Sequence, residues 1–208
     1  MEYNEIMEKI AVVGHKGRMG SLITKELQKD FEVVKIGREN SLSEMKGASL
    51  VIDFASHESS VVSAEYCLKN NIPLIIGSTG QTKEENKRIE EISKQIRLIK
   101  KANFSKGINV LKQFIEEVLK LEPERFEIIE KHHKNKKDAP SGTALELENF
   151  IRQKFDGDIK IKWVREGEEM GEHEVVAYLH DEKLSFKHNV FSRDAFVLGL
   201  IEDVKSFF

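Results

Sequence analysis

Two adjacent histidines and four lysines lie within one short segment in the second half of the chain. The segment runs from Phe126 to Ala144 and contains His132, His133 and Lys136. A histidine ring titrates near neutral pH, so it can transfer a proton, and a lysine adds a positive charge. We therefore predict a site where a small, negatively charged substrate receives a proton.

The same segment predicts the start of a helix. Asp138-Ala-Pro-Ser-Gly is a turn signal, Thr143-Ala-Leu-Glu146 has the capping-box pattern, and apolar residues follow at helical spacing. The helix is expected to begin between Ser141 and Thr143. Because free N–H groups at a helix N-terminus bind carboxylates and phosphates, we expect an anion site beside the histidines.

A solvated loop is the alternative interpretation of this segment. Most runs of charge are surface features, and paired histidines are often structural. No metal site is predicted, because lysine is a poor ligand and the cysteine and histidine spacing of a zinc motif is not found.

Composition narrows the class of protein. The 208 residues are 39% hydrophobic and 33% charged, which is typical of a soluble globular protein with one large or two small domains. The net charge of −3 gives no overall attraction to nucleic acid or anionic membranes. Cys67 is the single cysteine, and we find no signal peptide or membrane helix, so a reducing cytoplasm is expected.

A glycine-rich turn follows the first predicted strand. Lys9–Val13 is a continuously apolar run, Gly14-His-Lys-Gly-Arg-Met-Gly20 comes next, and apolar residues at helical spacing follow. Strand, glycine turn and helix in this order favour the opening of a dinucleotide-binding unit. The glycine spacing differs from G-x-G-x-x-G, so a plain tight turn is the alternative.

The end of the second predicted strand, Phe31–Ile36, bears on the choice of cofactor. Arg38 and Glu39 follow it. An acidic residue here contacts the ribose of NAD, whereas an arginine holds the 2′-phosphate of NADP. The pair leaves the choice open, and we favour NADPH with NADH tolerated.

Alternating strands and helices predict the fold class. Strands at 50–54, 73–77 and 97–100 alternate with helices, which indicates an α/β, Rossmann-like, doubly wound parallel sheet. Three later runs, 159–164, 174–179 and 184–188, have no helices between them and predict a mostly antiparallel or mixed sheet in a second α+β domain. We expect a dinucleotide-binding domain at 1–104, completed by a helix at 193–208, and a substrate-binding and oligomerisation domain at 105–192.

With these motifs in place, the chain resembles the dihydrodipicolinate reductase family over nearly its whole length. The most specific motif is His-His-x-x-Lys-x-Asp-Ala-Pro-Ser-Gly-Thr, at 132–143. Further matching segments are 13–20, 51–54, 77–80, 103–109, 171–173, 192–193 and Phe196. The resemblance implies NAD(P)H-dependent reduction of 4-hydroxy-tetrahydrodipicolinate, a cyclic dicarboxylate of the diaminopimelate and lysine pathway, by a homotetramer assembled largely through the second domain's sheet.

The resemblance also implies roles for individual residues. His132 is the expected acid, and Lys136 assists as donor and charge partner. The expected substrate contacts are His133, Ser141, Gly142 and Thr143. The expected cofactor contacts, in addition to Arg38, are Gly14, His15, Lys16, Gly17, Arg18, Met19, Gly77, Ser78, Thr79, Lys101, Ala102, Asn103 and Phe104.

This chain departs from the family pattern in three places. Ser78 replaces the second residue of Gly-Thr-Thr-Gly, Lys101 stands where a small residue is expected, and the region between the second and third strands is short. The side chain of Lys101 is expected either to crowd the nicotinamide end or to point to solvent. The alternative functions are a catalytically silent NAD(P)-binding homologue and a related dehydrogenase that reduces another imine or enamine.

Overall fold

The computed structural model describes residues 7–168 and 170–208 of the chain. These residues form two compact units, one running up to Ala102 and including Ile201–Phe208, the other spanning Asn103–Leu200. A division into compact units assigns no function to either, so the domain roles stay predictions. Within the described residues, every helix is too short or too polar to cross a lipid bilayer.

The first unit contains a five-stranded parallel sheet. Its strands are β1 (Lys9–Val13), β2 (Glu32–Ile36), β3 (Leu50–Asp53), β4 (Leu74–Ile76) and β5 (Leu98–Lys100), in the order β2-β1-β3-β4-β5. Helices α1 (Arg18–Leu27), α2 (His57–Asn70) and α3 (Lys83–Ser93) connect them, with a short 3-10 helix at Leu42–Met45. The chain changes winding direction after β2, which places the topological switch point at the carboxyl ends of β1 and β3.

The predicted apolar runs form the core of this sheet. Buried residues of β1, β3 and β4 pack against the inner faces of the helices, including Ala64 and Cys67 of α2 and Ile89 and Ile92 of α3. Strands buried on both faces explain why the sequence runs are continuously apolar instead of alternating.

The second unit contains a four-stranded mixed sheet with two helices. Its elements are α4 (Lys106–Leu119), β6 (Arg125–His132), α5 (Gly142–Arg152), β7 (Asp158–Arg165), β8 (Gly171–Tyr178) and β9 (Lys183–Val190), with strand order β7-β6-β8-β9. The β6–β8 and β8–β9 pairs are antiparallel, as predicted. The β6–β7 pair is parallel, because α5 carries the chain back across the sheet between these strands.

The helices cover one face of the mixed sheet. Side chains of α4 and α5 pack on Phe126, Ile128, Val175 and Ala177, which alternate along β6 and β8. Since side chains on a strand alternate between faces, Glu130 and His132 continue this same face to the end of β6. The face of β6 that forms the core therefore also carries the first of the paired histidines, His132.

The last helix, α6 (Asp194–Lys205), begins in the second unit and ends in the first. The residues just after it contact Arg97, which precedes β5: Arg97 donates a hydrogen bond of 2.8 Å to the carbonyl of Ser206, and the Arg97 guanidinium lies 4.1 Å from the centre of the Phe207 ring. The last residues of the chain are thus part of the first unit.

Candidate active site

The glycine turn after β1 leaves a helix start open. Gly14 has φ +82, a conformation that favours glycine, and a Cβ on Gly20 would overlap the carbonyl oxygen of Gly14. Gly17 is the N-cap of α1 and supplies no side-chain cap, and the first turn carries no acidic residue. The first N–H groups of α1 are therefore available to an anion, which suits a pyrophosphate.

A cavity of about 510 Å³ lies beside this turn. Of the predicted cofactor residues, Gly14, Lys16, Gly17 and Arg38 line it. The remaining members of the turn, His15, Arg18 and Met19, lie next to these in the chain without lining the cavity. The cavity and the open helix start together fit a bound dinucleotide.

Glu39 does not stand free beside Arg38. Its carboxylate forms an ion pair with Lys16 across the cavity wall, and the hydrogen bond from Lys16 lowers the pKa of Glu39. The acidic group is thus engaged by the glycine turn, whereas Arg38 lines the cavity with an exposed side chain.

Several cavity residues were missed in the sequence. They lie after β2, directly after β3 and in the first turn of α2: Asn40, Phe54, Ala55, Ser56 and Ser59. The rule that ligands bind beyond the carboxyl ends of parallel strands was applied to β4 and β5 but not to β3, where it would have found them.

The predicted contacts after β4 occupy that strand's carboxyl end. Gly77 lies under the Phe54 ring, which a Cβ would overlap. The Ser78 hydroxyl oxygen accepts a hydrogen bond of 3.1 Å from Gln81, and Thr79 follows it in the same loop.

The side chain of Lys101 forms an ion pair within the first unit. Its Nζ donates to both carboxylate oxygens of Asp203 on α6, at 2.7 and 2.8 Å. Its side chain is 25% exposed, so this ion pair is partly buried, and the cofactor contact of Lys101 stays a prediction. Ala102 completes the first unit, and Asn103 and Phe104 open the second, both buried.

Ser141, not Thr143, caps helix α5. The Ser141 hydroxyl accepts a hydrogen bond of 3.2 Å from the N–H of Ala144, so the predicted capping box starting at Thr143 is wrong. Glu146 forms an ion pair with Lys112 of α4 instead of returning to the cap. Helix α5 still begins where expected, at Gly142, and its first turn contains no acidic residue.

Thr143 is held from the side. The buried amide of Asn103 donates a hydrogen bond of 3.2 Å to the Thr143 hydroxyl oxygen. Two residues predicted for different ligands therefore touch each other within the second unit.

The loop after β6 places Lys136 near the helix start. Lys136 donates to both carboxylate oxygens of Asp138 at 2.8 and 2.9 Å. Partial burial raises the pKa of Asp138, but the hydrogen bond and charge of Lys136, together with backbone hydrogen bonds from Asp138 and Gly142, lower that pKa overall. His133 is half-buried, and its carbonyl accepts from the N–H of Lys136 at 3.1 Å.

A buried carboxylate, absent from the predicted site, contacts the His132 ring. Glu130 has no exposed surface and its Oε2 pairs with Nδ1 of His132, which is itself 7% exposed. Its Oε1 accepts from Arg165 at 2.7 Å and from the N–H of Ser141 at 3.0 Å. Burial raises the pKa of Glu130, but these contacts lower it to about 2, so the carboxylate is ionised at neutral pH.

A second buried ring lies beside this pair. His173 on β8 is 2% exposed, its Nε2 is 3.3 Å from the Ser141 hydroxyl, and its ring lies 5.1 Å from that of His132. Burial lowers the pKa of His173 to about 3, and the neighbouring His132 acts in the same direction. His173 is therefore neutral at neutral pH.

Glu130, His132 and His173 have the composition of a metal-ligand group. One ligand-type atom from each lies within 4.8 Å of the others. The Arg165 guanidinium binds the same carboxylate, and a cation in this position opposes a second cation. We therefore interpret the group as a proton-holding network, and the expectation of no metal site stays a prediction.

These observations define a class of protein. A Rossmann-like parallel sheet with a glycine turn and an open helix start, followed by a mixed-sheet unit with a histidine–carboxylate pair, is the architecture of a two-domain NAD(P)H-dependent oxidoreductase.

Comparison with known proteins identifies the family. A family profile described as "Dihydrodipicolinate reductase, N-terminus" matches residues 34–104, and one described as "Dihydrodipicolinate reductase, C-terminus" matches residues 107–207. The chain belongs to the dihydrodipicolinate reductase family. The amino-terminal domain of this family is the NAD(P)-binding domain.

Relatives match over nearly their full length. The 4-hydroxy-tetrahydrodipicolinate reductase of Caldanaerobacter subterraneus subsp. tengcongensis is 35% identical, with 96% of this chain and 92% of the relative covered. The enzyme of the same name from Thermosipho africanus is 33% identical, with 95% and 90% covered. A dipicolinate-bound dihydrodipicolinate reductase structure from Paenisporosarcina sp. TG-14 has the same fold, with TM-score 0.76, 20% identity, and 97% of this chain and 95% of that chain covered.

Proposed function

We propose that this chain reduces 4-hydroxy-tetrahydrodipicolinate to tetrahydrodipicolinate with NADPH or NADH, in the diaminopimelate and lysine pathway. The observation that carries the proposal is the pairing of a buried His132 with an ionised carboxylate beside the open start of α5. His132 is suited to hold a proton, and the start of α5 is suited to bind a carboxylate of the substrate.

The first unit binds the cofactor in this proposal. The open start of α1 takes the pyrophosphate, with Gly14 and Gly17 allowing close approach of the backbone. When bound, the cofactor supplies a hydride to the substrate ring. Arg38 is exposed in the cavity wall while Glu39 is held by Lys16, which favours NADPH, because a free arginine can bind a 2′-phosphate.

His132 is the proposed acid. As hydride arrives at one carbon of the substrate ring, the imidazolium of His132 gives the proton that completes the reduction. Lys136 is the assisting donor: Asp138 holds its ammonium group close to the start of α5, so it can turn to a substrate carboxylate.

The substrate's carboxylate is proposed to bind at the start of α5. Gly142 and Thr143 offer backbone N–H groups, Ser141 fixes the first turn as its cap, and His133 lies at the edge of the adjacent loop. The first turn contains no acidic side chain, but Asp138 of the preceding loop accepts a hydrogen bond from the Gly142 N–H, which a substrate carboxylate would displace.

We propose a homotetramer that forms through the mixed sheet. The face of the sheet opposite α4 and α5 carries Ile129, Val164 and Val176, and Val164 is 37% exposed. Val176 is buried and charged residues lie between the three, so the exposed apolar side chain that this face offers to a second copy is Val164. A cytoplasmic location is proposed from the single cysteine, Cys67, which is buried and suits a reducing compartment.

The test is an assay of the purified chain with freshly generated 4-hydroxy-tetrahydrodipicolinate, following loss of the reduced cofactor. We expect turnover with both cofactors. At low cofactor concentration we expect faster turnover with NADPH than with NADH. Tight NADPH binding without turnover would establish the silent homologue instead. Turnover with another amino-acid-derived imine, but not with this substrate, would establish the related dehydrogenase.

A further inference from the structure

Glu130 is a buried, ionised carboxylate, and the proposed function does not say what it does to the His132 ring. A charge with no exposed surface is costly unless several partners compensate it. Glu130 has three: Arg165 from β7, the N–H of Ser141 at the start of α5, and Nδ1 of His132. Its partners come from three separate parts of the unit.

The strand geometry places Glu130 beside His132. Glu130 and His132 are two residues apart on β6, so their side chains lie on the same face. Register with β7 places Arg165 opposite His132, within reach of the same carboxylate. The His132 ring is thus held at one nitrogen by a group that is itself fixed from two sides.

We propose that Glu130 is the positioning residue of the acid: it fixes the proton of the His132 ring on Nδ1 and leaves Nε2 as the nitrogen that serves the substrate. This inference rests on the proposed function, in which His132 is the proton donor. Nδ1 of His132 and Oε2 of Glu130 are in ion-pair contact, and among the described residues neither atom has a hydrogen-bond partner elsewhere. An ionised carboxylate can only accept a hydrogen bond, so a proton shared by these two atoms belongs to the ring.

The surroundings of Nε2 agree with this assignment. Gly171 of β8 lies next to it, and a Cβ at this position would be 3.0 Å from Nε2. That separation is tighter than ordinary van der Waals contact, so a side chain at this position would press on Nε2, and glycine avoids this contact. Glu130 holds one edge of the ring while Gly171 keeps space at the other.

The remaining charged and titratable groups around the pair do not replace Glu130. Arg165 is bound to Glu130 itself, and His173 is neutral at the pH of interest. Partial burial lowers the pKa of His188. The charged and titratable groups around Glu130 and His132 come from other elements. They are Arg165 of β7, His173 of β8, His188 of β9, and Lys136 and Asp138 of the loop after β6. Glu130 is the anion that contacts the ring, since Asp138 is engaged by Lys136.

A matched control lies three residues earlier on the same strand. Glu127 is also buried, at 6% exposed, and is paired with Lys162 and with the hydroxyl of Tyr178. It lies on the opposite face of the sheet from His132, because the separation is an odd number of positions. Because Glu127 lies on the face proposed for assembly, loss of its charge reports the cost to structure and assembly without a change beside the His132 ring.

The first experiment compares Glu130→Gln with Glu127→Gln in steady-state kinetics across pH. Glutamine keeps an oxygen that accepts from Ser141 and Arg165 but removes the negative charge, so we expect kcat to fall about 10- to 100-fold, a part of what a positioned acid contributes. KM for the substrate should change by less than about threefold, and the alkaline limb of the activity profile should move to lower pH. Glu127→Gln should keep the wild-type profile, and Glu130→Asp should recover part of kcat.

Equal profiles for Glu130→Gln and wild type would overturn the proposal. So would equal losses in Glu130→Gln and Glu127→Gln with no movement of the alkaline limb, since that pattern is the signature of a structural role. Loss of wild-type activity on treatment with a metal chelator would also overturn it, because it would make the three residues a ligand set.

The second experiment needs no variant of Glu130 and no turnover. Nitrogen-15 NMR of the histidine rings in the wild-type chain, with the His132 signals assigned by their absence in His132→Gln, shows which nitrogen carries the proton at alkaline pH. The proposal expects the proton on Nδ1, and a dominant Nε2–H form would overturn it. Because the measurement uses no substrate, it remains decisive if the reductase assay fails, whereas an active wild type with an Nε2–H ring would reject this inference alone.

Discussion

The backbone N–H of Ser141 donates a hydrogen bond of 3.0 Å to Oε1 of Glu130, the carboxylate whose other oxygen pairs with the His132 ring. One buried side chain therefore connects the start of α5, where we place the substrate carboxylate, to the proposed acid. The arrangement fixes the relative position of an anion site and a proton donor within one unit of the chain. Because the cofactor carries the hydride, a reductase must supply the binding site, the orientation of the substrate and the proton donor.

Replacement of the acid should separate catalysis from binding. His132→Gln is expected to lower kcat by about 10²- to 10⁴-fold with KM changed by less than about threefold, because a donor used only in the transition state is removed. Steady-state kinetics with both cofactors checks this. His180→Gln, at a histidine that is 89% exposed, is the control and should match wild type. Wild-type kcat in His132→Gln would remove this residue from the mechanism.

Loss of the lysine should affect both kinetic parameters. Lys136→Ala removes a charged donor to the substrate carboxylate, which is worth about 1.5–3 kcal/mol, so we expect KM to rise about 10-fold or more and kcat to fall as well. The neighbouring, exposed Lys137 provides the control as Lys137→Ala. If both variants behave alike, the loop contributes only general positive charge.

The cofactor preference should depend on Arg38. Arg38→Ala is expected to raise KM for NADPH about 10-fold and KM for NADH by less than about threefold, since only NADPH carries the 2′-phosphate that the guanidinium can bind. Titration of each reduced cofactor in the steady-state assay measures this. Lys35→Ala, at an exposed position on β2 outside the cavity, should leave both values unchanged. An equal rise for both cofactors would place Arg38 elsewhere than at the phosphate.

Stability should fall on mild acidification because of His173. The unfolded chain binds a proton at this histidine below its ordinary pKa of 6.5, whereas burial lowers the folded pKa to about 3. Between these values the unfolded state holds more protons, so the free energy of unfolding decreases as pH falls, by about 2 kcal/mol from pH 7 to pH 5.

Denaturant unfolding at several pH values tests this contribution. His173→Asn cannot titrate, so its free energy of unfolding should show a correspondingly weaker dependence on pH over that interval. His180→Asn removes an exposed histidine and should keep the wild-type dependence. A slope unchanged in His173→Asn would show that the ring is not held neutral in the folded chain.

Much of the fold could be predicted because its signals are local. Continuous apolar runs ending in glycine mark β1 and β4, and helical spacing marks the helices between them. The parallel pairing of β6 with β7 is not local: it depends on α5 crossing the sheet. The cap of α5 was misplaced for a related reason, since serine and threonine are both favoured at an N-cap and only the backbone geometry selects Ser141 over Thr143.

The candidate site was predicted in part. His132 and Lys136 could be found from their chemistry, but Glu130 lies between an apolar strand and a lysine and has the appearance of a surface charge. Its role depends on Arg165 and His173, which reach it through strand pairing across about 35 and 43 positions of sequence. The one local signal was the spacing of Glu130 and His132, which puts both on the core face of a strand. Lys101 was likewise decided by a distant partner, Asp203.

The most direct test of the central claim is a crystal structure of the wild-type chain with oxidised NADP and dipicolinate bound together. The account predicts that Nε2 of His132 lies within about 3.5 Å of the dipicolinate ring, that one carboxylate accepts from the N–H groups of Gly142 and Thr143, and that the nicotinamide faces the same ring. Dipicolinate bound away from the start of α5, or a His132 ring that presents Nδ1 to it, would contradict the account.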